Sequence, residues 1–206
     1  MNNKILTVLA IFGLSTQLFA GGAIAPIETS EVIEVAHTEE VSHDAHGSDF
    51  YIIVKGLSIL GDTVAHGHDT LDGDPGYGFG IDLGYRIGNG FAVEYDFSHA
   101  TNTVTETDDH GLHPHEGDAT YTTHAIHLVY TMHVTDTFGV FVKGGYESET
   151  EEIEEFHIDK DSDGFAYAVG IEYAMNDHYT LMAEYEGSDI EGPRGDAVFV
   201  GVMYNF

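Results

Sequence analysis

The sequence contains no cysteine, few basic residues and no apolar run long enough for a membrane-spanning helix. Without cysteine, disulfide bonds, thiol catalysis and cysteine-ligated zinc sites are excluded. The 6 Lys and Arg residues face 36 Asp and Glu residues, which gives a formal net charge of -30. A nucleic-acid partner is not expected, because binding phosphates needs basic side chains. The charge instead suits divalent cations, basic partners or an acid-tolerant surface.

The first 20 residues form a segment of their own. Lys4 precedes an apolar run over residues 5–14, and the small residue Ala20 follows after a polar break. A membrane-spanning helix needs about 20 apolar residues, so this shorter run predicts a secretory signal peptide over residues 1–20. We expect export through the inner membrane with cleavage after Ala20. Cleavage after Ala25 is a weaker alternative.

The remaining chain divides into residues 21–48 and residues 49–206. The first part is acidic, contains histidine and has few aromatic residues, which predicts a disordered periplasmic lead-in. From Phe50 onward, aromatic and β-branched residues alternate with small or polar residues, and this period of two is typical of strands. We expect eight strands, over residues 50–60, 77–87, 90–100, 119–133, 137–149, 163–175, 178–188 and 196–206.

Two all-β folds are compatible with this alternation, a soluble sandwich and a transmembrane barrel. The connections between the predicted strands alternate in length. They are short at residues 88–89, 134–136 and 176–177, long at 61–76, 101–118 and 150–162, and intermediate at 189–195. The alternation of short and long connections, together with strands of about ten residues or more, favours an eight-stranded antiparallel up-and-down transmembrane β-barrel.

Residues 50–206 resemble the porin-like eight-stranded outer-membrane β-barrels, the family of the OmpA membrane domain and the opacity proteins. The resemblance lies in residues 51–56, 143–146, 170–173 and 202–206. It implies an outer-membrane location in the envelope of a Gram-negative cell and contact with outer-membrane lipid. It also implies a C-terminal signal, Tyr204 and Phe206, that the barrel assembly machinery recognises. It does not identify a biochemical activity.

The polar face of the predicted strands points into the barrel, where eight strands leave room for little more than side chains. We expect a lumen ion-pair network of Lys55, Arg86, Lys143, Asp82, Glu94, Asp96, Glu147, Glu172, Glu184 and Glu186. A barrel filled in this way has no open pore. A proton or ion path is the functional alternative, because carboxylates remain in excess after pairing. We expect His127 to face inward and His124 to face outward.

The long loops, which the topology places outside the cell, carry candidate metal ligands. They are His66, His68 and Asp69 in the first loop, His110, His113 and His115 in the second, and Asp159, Asp161 and Asp163 in the third. Imidazole with carboxylate suits zinc, nickel or copper. Residues 159–164 repeat the opening of a calcium loop, but Gly170 stands where that loop needs Glu. An Asp-rich turn at a hairpin tip is the simpler interpretation.

These observations predict a non-enzymatic outer-membrane barrel with a structural and surface-interaction role and no cofactor. The alternative function is binding of divalent metal ions by the loops. A weaker alternative is a lipid-modifying enzyme, because some barrels of this size use Ser, His and an acid near the outer rim. The nearest candidates, Ser98 and His99, are adjacent on one predicted strand and so face opposite sides. Without a bulge in the strand, they cannot pair as nucleophile and base.

Overall fold

The structure is a computed structural model that describes residues 49–108 and 114–206. The predicted signal peptide, residues 1–20, and the predicted lead-in, residues 21–48, lie outside the described residues, as do His110 and His113. In the described part of the chain, no helix has the length and apolar character needed to cross a membrane.

The described residues form antiparallel strands joined into one sheet. They are β1 Phe50–Ile59, β2 Thr63–His66, β3 Asp69–Gly73, β4 Gly76–Gly88, β5 Phe91–Thr107, β6 His115–His133, β7 Phe138–Ile153, β8 Ile158–Ala174, β9 Tyr179–Ser188 and β10 Ala197–Asn205. Eight of them close a ring in the order β1, β4, β5, β6, β7, β8, β9, β10, and β10 pairs back with β1. The predicted eight-stranded up-and-down barrel is therefore confirmed. The short β2–β3 hairpin pairs with the far end of β5.

The two ends of the barrel differ. At the turn end lie the short connections after β4, β6 and β8, together with Phe50 and Phe206. At the hairpin end lie the longer connections, including the β2–β3 hairpin and residues 189–196. The tightest turn contains Asn89 at φ 54° and Gly90 at φ 82°, a left-handed backbone that Asn and Gly adopt at little cost.

All three predicted long loops contain strand, and residues 61–76 include the β2–β3 hairpin. Residues 101–118 were expected to be irregular, but β5 runs to Thr107 and β6 starts at His115, with pairs as far as Glu106 opposite His115. Residues 150–162 likewise pair across β7 and β8 and leave only the turn at Glu154–Phe156. The outward positions of these stretches hold polar residues, such as Thr103 on β5 and Glu152 on β7, so they lack the apolar face that identified the other strands. Their backbones still favour a sheet, because Thr is a good strand former.

The outer surface carries an apolar belt, formed by the outward apolar side chains of the eight ring strands. Leu83 on β4 is 54% exposed, whereas its inward neighbour Asp82 is completely buried. Aromatic pairs mark the turn end of the belt, with ring centroids 4.8 Å apart for Phe50–Tyr85, 4.9 Å for Phe91–Tyr130 and 5.3 Å for Tyr179–Tyr204. Apolar residues outside and polar residues inside are the arrangement of a transmembrane barrel.

The interior contains two apolar clusters, one at each end. The turn-end cluster comprises Tyr51, Ile53, Ala92, Val129, Phe141, Met182 and Met203. The hairpin-end cluster comprises Leu57, Ile59, Leu71, Ala100, Val104, Ala119, Tyr121, Ile153, Ala197 and Phe199. Buried charged side chains occupy the interior between these clusters.

Candidate functional site

Six charged side chains meet in the middle of the barrel and form the central cluster: Lys55 on β1, Asp82 on β4, Glu94 and Asp96 on β5, Lys143 on β7 and Glu184 on β9. Each occupies an inward position because successive strand residues alternate between the two faces. All six are buried. The cluster therefore joins five strands across the lumen.

Each lysine contacts three carboxylates. Lys55 Nζ lies 3.1 Å from Asp82 and 3.5 Å from Glu184, and it also contacts Asp96. Lys143 Nζ lies 2.6 Å from Glu94, 2.8 Å from Glu184 and 3.6 Å from Asp82. Buried charges are tolerated only when pairing offsets the loss of hydration. Substitution of either lysine would therefore leave several buried carboxylates without a positive partner.

Aromatic rings complete the surroundings of the lysines. The Tyr51 hydroxyl donates a hydrogen bond of 2.6 Å to Glu94. Lys55 Nζ lies 4.1 Å from the centre of the Phe199 ring, within the range of a cation–π contact. The central cluster is thus held between aromatic side chains of the two apolar clusters.

A second group of charges, the Arg194 cluster, lies nearer the hairpin end. Arg194 belongs to the connection between β9 and β10, yet it is buried. Its guanidinium lies 2.8 Å from Glu149 and 3.3 Å from Glu147, and it donates a hydrogen bond of 3.2 Å to Thr123. A side chain from a connecting segment therefore fills the interior at this end.

Backbone hydrogen bonds hold this connecting segment in place. The amide of Leu60 donates to Asp196 at 2.8 Å, that of Gly61 to Arg194 at 3.0 Å and that of Asp62 to Pro193 at 3.2 Å. Residues 193–196 are thereby attached to the chain that leaves β1. The position of Arg194 is set by this backbone contact as well as by its ion pairs.

The electrostatics of the Arg194 cluster follow from burial and from neighbouring charges. Its groups lie beyond the apolar belt, because the strand residues on either side of Glu149 and Tyr121 are Ser or Thr rather than apolar. Burial raises the pKa of Glu149, Arg194 lowers it, Glu147 raises it again, and the net shift is upward. Burial would lower the pKa of Arg194, but Glu149 and Glu147 outweigh this effect and raise it. Burial and the charge of Glu151 raise the pKa of the Tyr121 hydroxyl.

The predicted lumen network is only partly one unit. The structure brings Lys55, Lys143, Asp82, Glu94, Asp96 and Glu184 together, whereas Glu147 contacts Arg194. The inclusion of Arg86 and Glu172 in the network was wrong. Arg86 donates to Asn205 at 2.6 Å and lies over the Tyr51 ring, and Glu172 lies 3.6 Å from His133. Both point inward but lie near the turn end, beyond reach of the central cluster.

Arg194 is the functional residue that sequence reasoning missed. Strand alternation assigns a face only to residues within strands, and Arg194 lies in a connection. The available signal was its scarcity, since only 6 Lys and Arg residues occur in the chain. The two histidines lie as expected: His127 is buried in the interior, and outward-facing His124 is 2.7 Å from the Tyr95 hydroxyl.

The candidate metal ligands of the loops lie in two regions. His66, His68 and Asp69 lie at the β2–β3 tip, and Thr70 pairs with Thr107 at the end of β5. The tip is therefore next to the strand end that leads into residues 108–115. The expected Asp-rich turn in the third loop was wrong, because Asp159, Asp161 and Asp163 lie within β8. Asp161 accepts a hydrogen bond of 2.7 Å from Thr150 there.

The candidate catalytic pair does not form. Ser98 is buried in the interior, whereas His99 faces outward and its Nδ1 lies 3.2 Å from the Thr122 hydroxyl. The two side chains lie on opposite faces of β5, as the alternation requires. A hydrolytic mechanism through this pair has no support in the geometry.

A cavity of about 160 Å³ opens at the turn end. Its lining includes Tyr51, Arg86 and His133 near the opening, and Glu94 and Lys143 of the central cluster. The cavity thus reaches the central cluster from the turn end.

Comparison with known proteins places this geometry in context. The model of the outer membrane protein beta-barrel domain family matches residues 40–206. No curated protein shows significant sequence similarity to the chain. The fold is similar to that of the outer membrane protein OprG from Pseudomonas aeruginosa, with a TM-score of 0.61 at 16% identity over 78% of this chain and 97% of OprG. It is also similar to Neisserial surface protein A, with a TM-score of 0.55 at 14% identity over 77% of this chain and 97% of that protein.

Proposed function

The chain belongs to the outer membrane protein beta-barrel domain family, and from this premise we propose that it is a non-conducting barrel that anchors acidic surface hairpins in the envelope. Its location is the outer membrane, as the family implies. The barrel supplies the membrane anchor through the apolar belt, which contacts outer-membrane lipid. The hairpin end supplies the surface that meets partners outside the cell.

The observation that carries this proposal is the filled interior. The central cluster joins β1, β4, β5, β7 and β9 across the lumen, and the Arg194 cluster fills the interior nearer the hairpin end. Eight-stranded barrels are narrow enough for side chains to fill them. An ion crossing the barrel would have to break several buried ion pairs at once, so passive diffusion is blocked.

The route to the membrane is part of the same proposal. The apolar run and Ala20 of residues 1–20 direct export, and the terminal strand carries the assembly signal. Tyr204 and Phe206 lie at the turn end with ring centroids 5.1 Å apart, and Phe206 is exposed. Phe206 lies beside the seam between β1 and β10, where assembly machinery can reach its exposed ring during insertion.

The acidic character of the hairpin end supports a surface role. Asp159, Asp161 and Asp163 are all exposed on one face of β8, and the neighbouring strand β7 adds exposed Glu152. Such a surface attracts cations and basic partners and repels polyanions. The function supported best is therefore structural anchoring with electrostatic selection of partners.

We expect the mature protein to produce no steady current in planar lipid bilayers containing potassium chloride. A large general porin inserted in the same bilayers serves as the positive control. Heat-dependent gel migration of the reconstituted sample shows that the barrel is folded and inserted. The absence of current then indicates a closed lumen. A steady ohmic current from the folded protein would contradict the proposal.

Metal binding at the hairpin end is the second candidate function. The pairing of Thr70 with Thr107 brings the β2–β3 tip, with His68 and Asp69, beside the strand end leading into residues 108–115. Histidine and carboxylate groups from two chain segments can then contribute to one zinc, nickel or copper ion. The register of β3 on β5 is the observation that favours this candidate.

We expect the His68→Ala, His115→Ala double variant to lose zinc binding, measured by isothermal titration calorimetry of the refolded protein. The matched control is His157→Ala, which removes a histidine from the β7–β8 turn. If the double variant binds zinc as well as the control does, the two hairpins do not form the metal site.

A further inference from the structure

Three buried carboxylates in the lumen converge on one point. One oxygen from each of Asp96 on β5 and Glu184 and Glu186 on β9 lies within 4.8 Å of the others. We call these residues the carboxylate triad. Each is at most 4% exposed. Two of them belong to the central cluster, and the third extends the cluster toward the hairpin end.

The lysines of the central cluster do not balance this charge. Asp82, Glu94 and the triad supply five buried carboxylates, and Lys55 and Lys143 supply two ammonium groups. Full ionisation would therefore leave an excess of three negative charges among side chains that are almost completely buried. Burying an unpaired charge is strongly unfavourable, so the folded barrel must recruit a positive charge to this place or neutralise a carboxylate.

Glu186 is the member of the triad with no partner. In residues 49–108 and 114–206, no side chain forms an ion pair with Glu186 and none donates a hydrogen bond to it. Asp96 and Glu184 each contact Lys55, and Glu184 also contacts Lys143. Glu186 is 96% buried, and its carboxylate lies within 4.8 Å of the other two, so a positive charge at this point would stabilise all three.

His127 is a second buried polar side chain without a partner at this level. It is 1% exposed, and neither ring nitrogen has a hydrogen-bond partner among the described residues. It pairs with Glu94 in the β5–β6 register, so the next inward residue of β5 toward the hairpin end is Asp96. The lumen therefore holds a second buried polar group whose hydrogen-bonding capacity is not satisfied by the described residues.

We propose that the carboxylate triad of Asp96, Glu184 and Glu186 binds a hard divalent cation of the calcium type inside the barrel. Calcium binds carboxylate oxygens at about 2.3–2.6 Å in flexible geometry, whereas magnesium demands a near-ideal octahedron and usually keeps several waters. One divalent cation reduces the excess of three negative charges to one. This internal site is separate from the histidines of the hairpin end.

Manganese provides a spectroscopic probe of the site because it has the same charge and a preference for oxygen ligands. The mature protein is refolded in detergent with a chelator, dialysed, and titrated with manganese while free ion is followed by electron paramagnetic resonance. We expect one tightly bound manganese per barrel, displaced by calcium. Calcium should also raise the temperature at which the folded band is lost in gel migration.

Two matched variants locate the site. Glu186→Gln removes one charge from the triad and keeps the shape of the side chain, and we expect it to weaken manganese binding by at least roughly tenfold. Glu172→Gln removes an inward carboxylate near the turn end, outside the triad, and should bind as the unmodified protein does.

Unchanged binding in Glu186→Gln, or no tightly bound manganese in the unmodified barrel, would overturn the proposal. If Glu186→Gln does not refold, the effect of calcium on the unmodified barrel decides, and a gel transition that calcium does not shift would reject the site. Bilayer conductance is measured independently, so a closed barrel without a cation would leave the proposed function intact.

Discussion

Replacing Lys143 with methionine is expected to destabilise the folded barrel by about 3–5 kcal/mol, because removing one partner leaves buried charges without compensation. Lys143 contacts Asp82, Glu94 and Glu184 at the same time. Methionine retains most of the volume and removes the ammonium group. The measurement is the free energy of unfolding in urea, followed by circular dichroism and by gel migration of the folded band.

The chain offers a control and a compensating change for this experiment. Lys160→Met makes the same substitution at an exposed position on β8 and should leave the free energy of unfolding nearly unchanged. Adding Glu94→Gln to Lys143→Met removes one of the stranded carboxylates and should recover part of the loss. If Lys143→Met and Lys160→Met unfold at the same urea concentration, the central cluster does not stabilise the barrel.

The second large effect is expected from Gly84→Val. A β-carbon added at Gly84 would lie 2.0 Å from Cζ of Tyr51, so the ring occupies the space above this glycine. Tyr51 cannot move freely, because its hydroxyl donates to Glu94 and Arg86 lies 4.5 Å from its ring centre. Overpacking of this kind costs about 1–3 kcal/mol or more, and the displaced hydrogen bond adds to the loss.

Gly56→Val is the matched control for Gly84→Val. Gly56 lies on β1 and faces outward, and nothing lies within 4 Å of a β-carbon added there. We expect the control to unfold at or above the urea concentration of the unmodified barrel, since Val is a better strand former than Gly. If both substitutions destabilise the barrel equally, strand glycines matter for assembly in general, and the packing of the Tyr51 ring on Gly84 is not the cause.

Much of the fold could be predicted because a strand has only two faces. The alternation of Phe79, Ile81 and Leu83 with Gly80 and Asp82 identified the outward and inward sides of β4, and the structure has the same assignment. The extensions of β5 to Thr107 and of β7 to Ile153 were missed. Both carry polar residues on their outward faces, so nothing apolar marked them as strand.

The candidate site was predictable as a set of inward residues but not as a set of contacts. Arg86 and Lys143 are both basic residues on inward faces, yet only Lys143 reaches the carboxylates of the central cluster. The difference is their height along the barrel, which depends on the stagger between neighbouring strands. Register between strands distant in the chain has no signature within either strand.

The sequence by itself determined the inside and the outside of this barrel, because alternation within each strand assigns a face without reference to any other strand. The tertiary structure alone decided which charges meet. Closing the ring by pairing Tyr51 with Asn205 brings Lys55 on β1 to Glu184 on β9, residues that lie far apart in the chain. Backbone pairing of residues 60–62 with residues 193–196 inserts Arg194 between Glu147 and Glu149. Both contacts depend on distances through space, which a period of two within one strand does not encode.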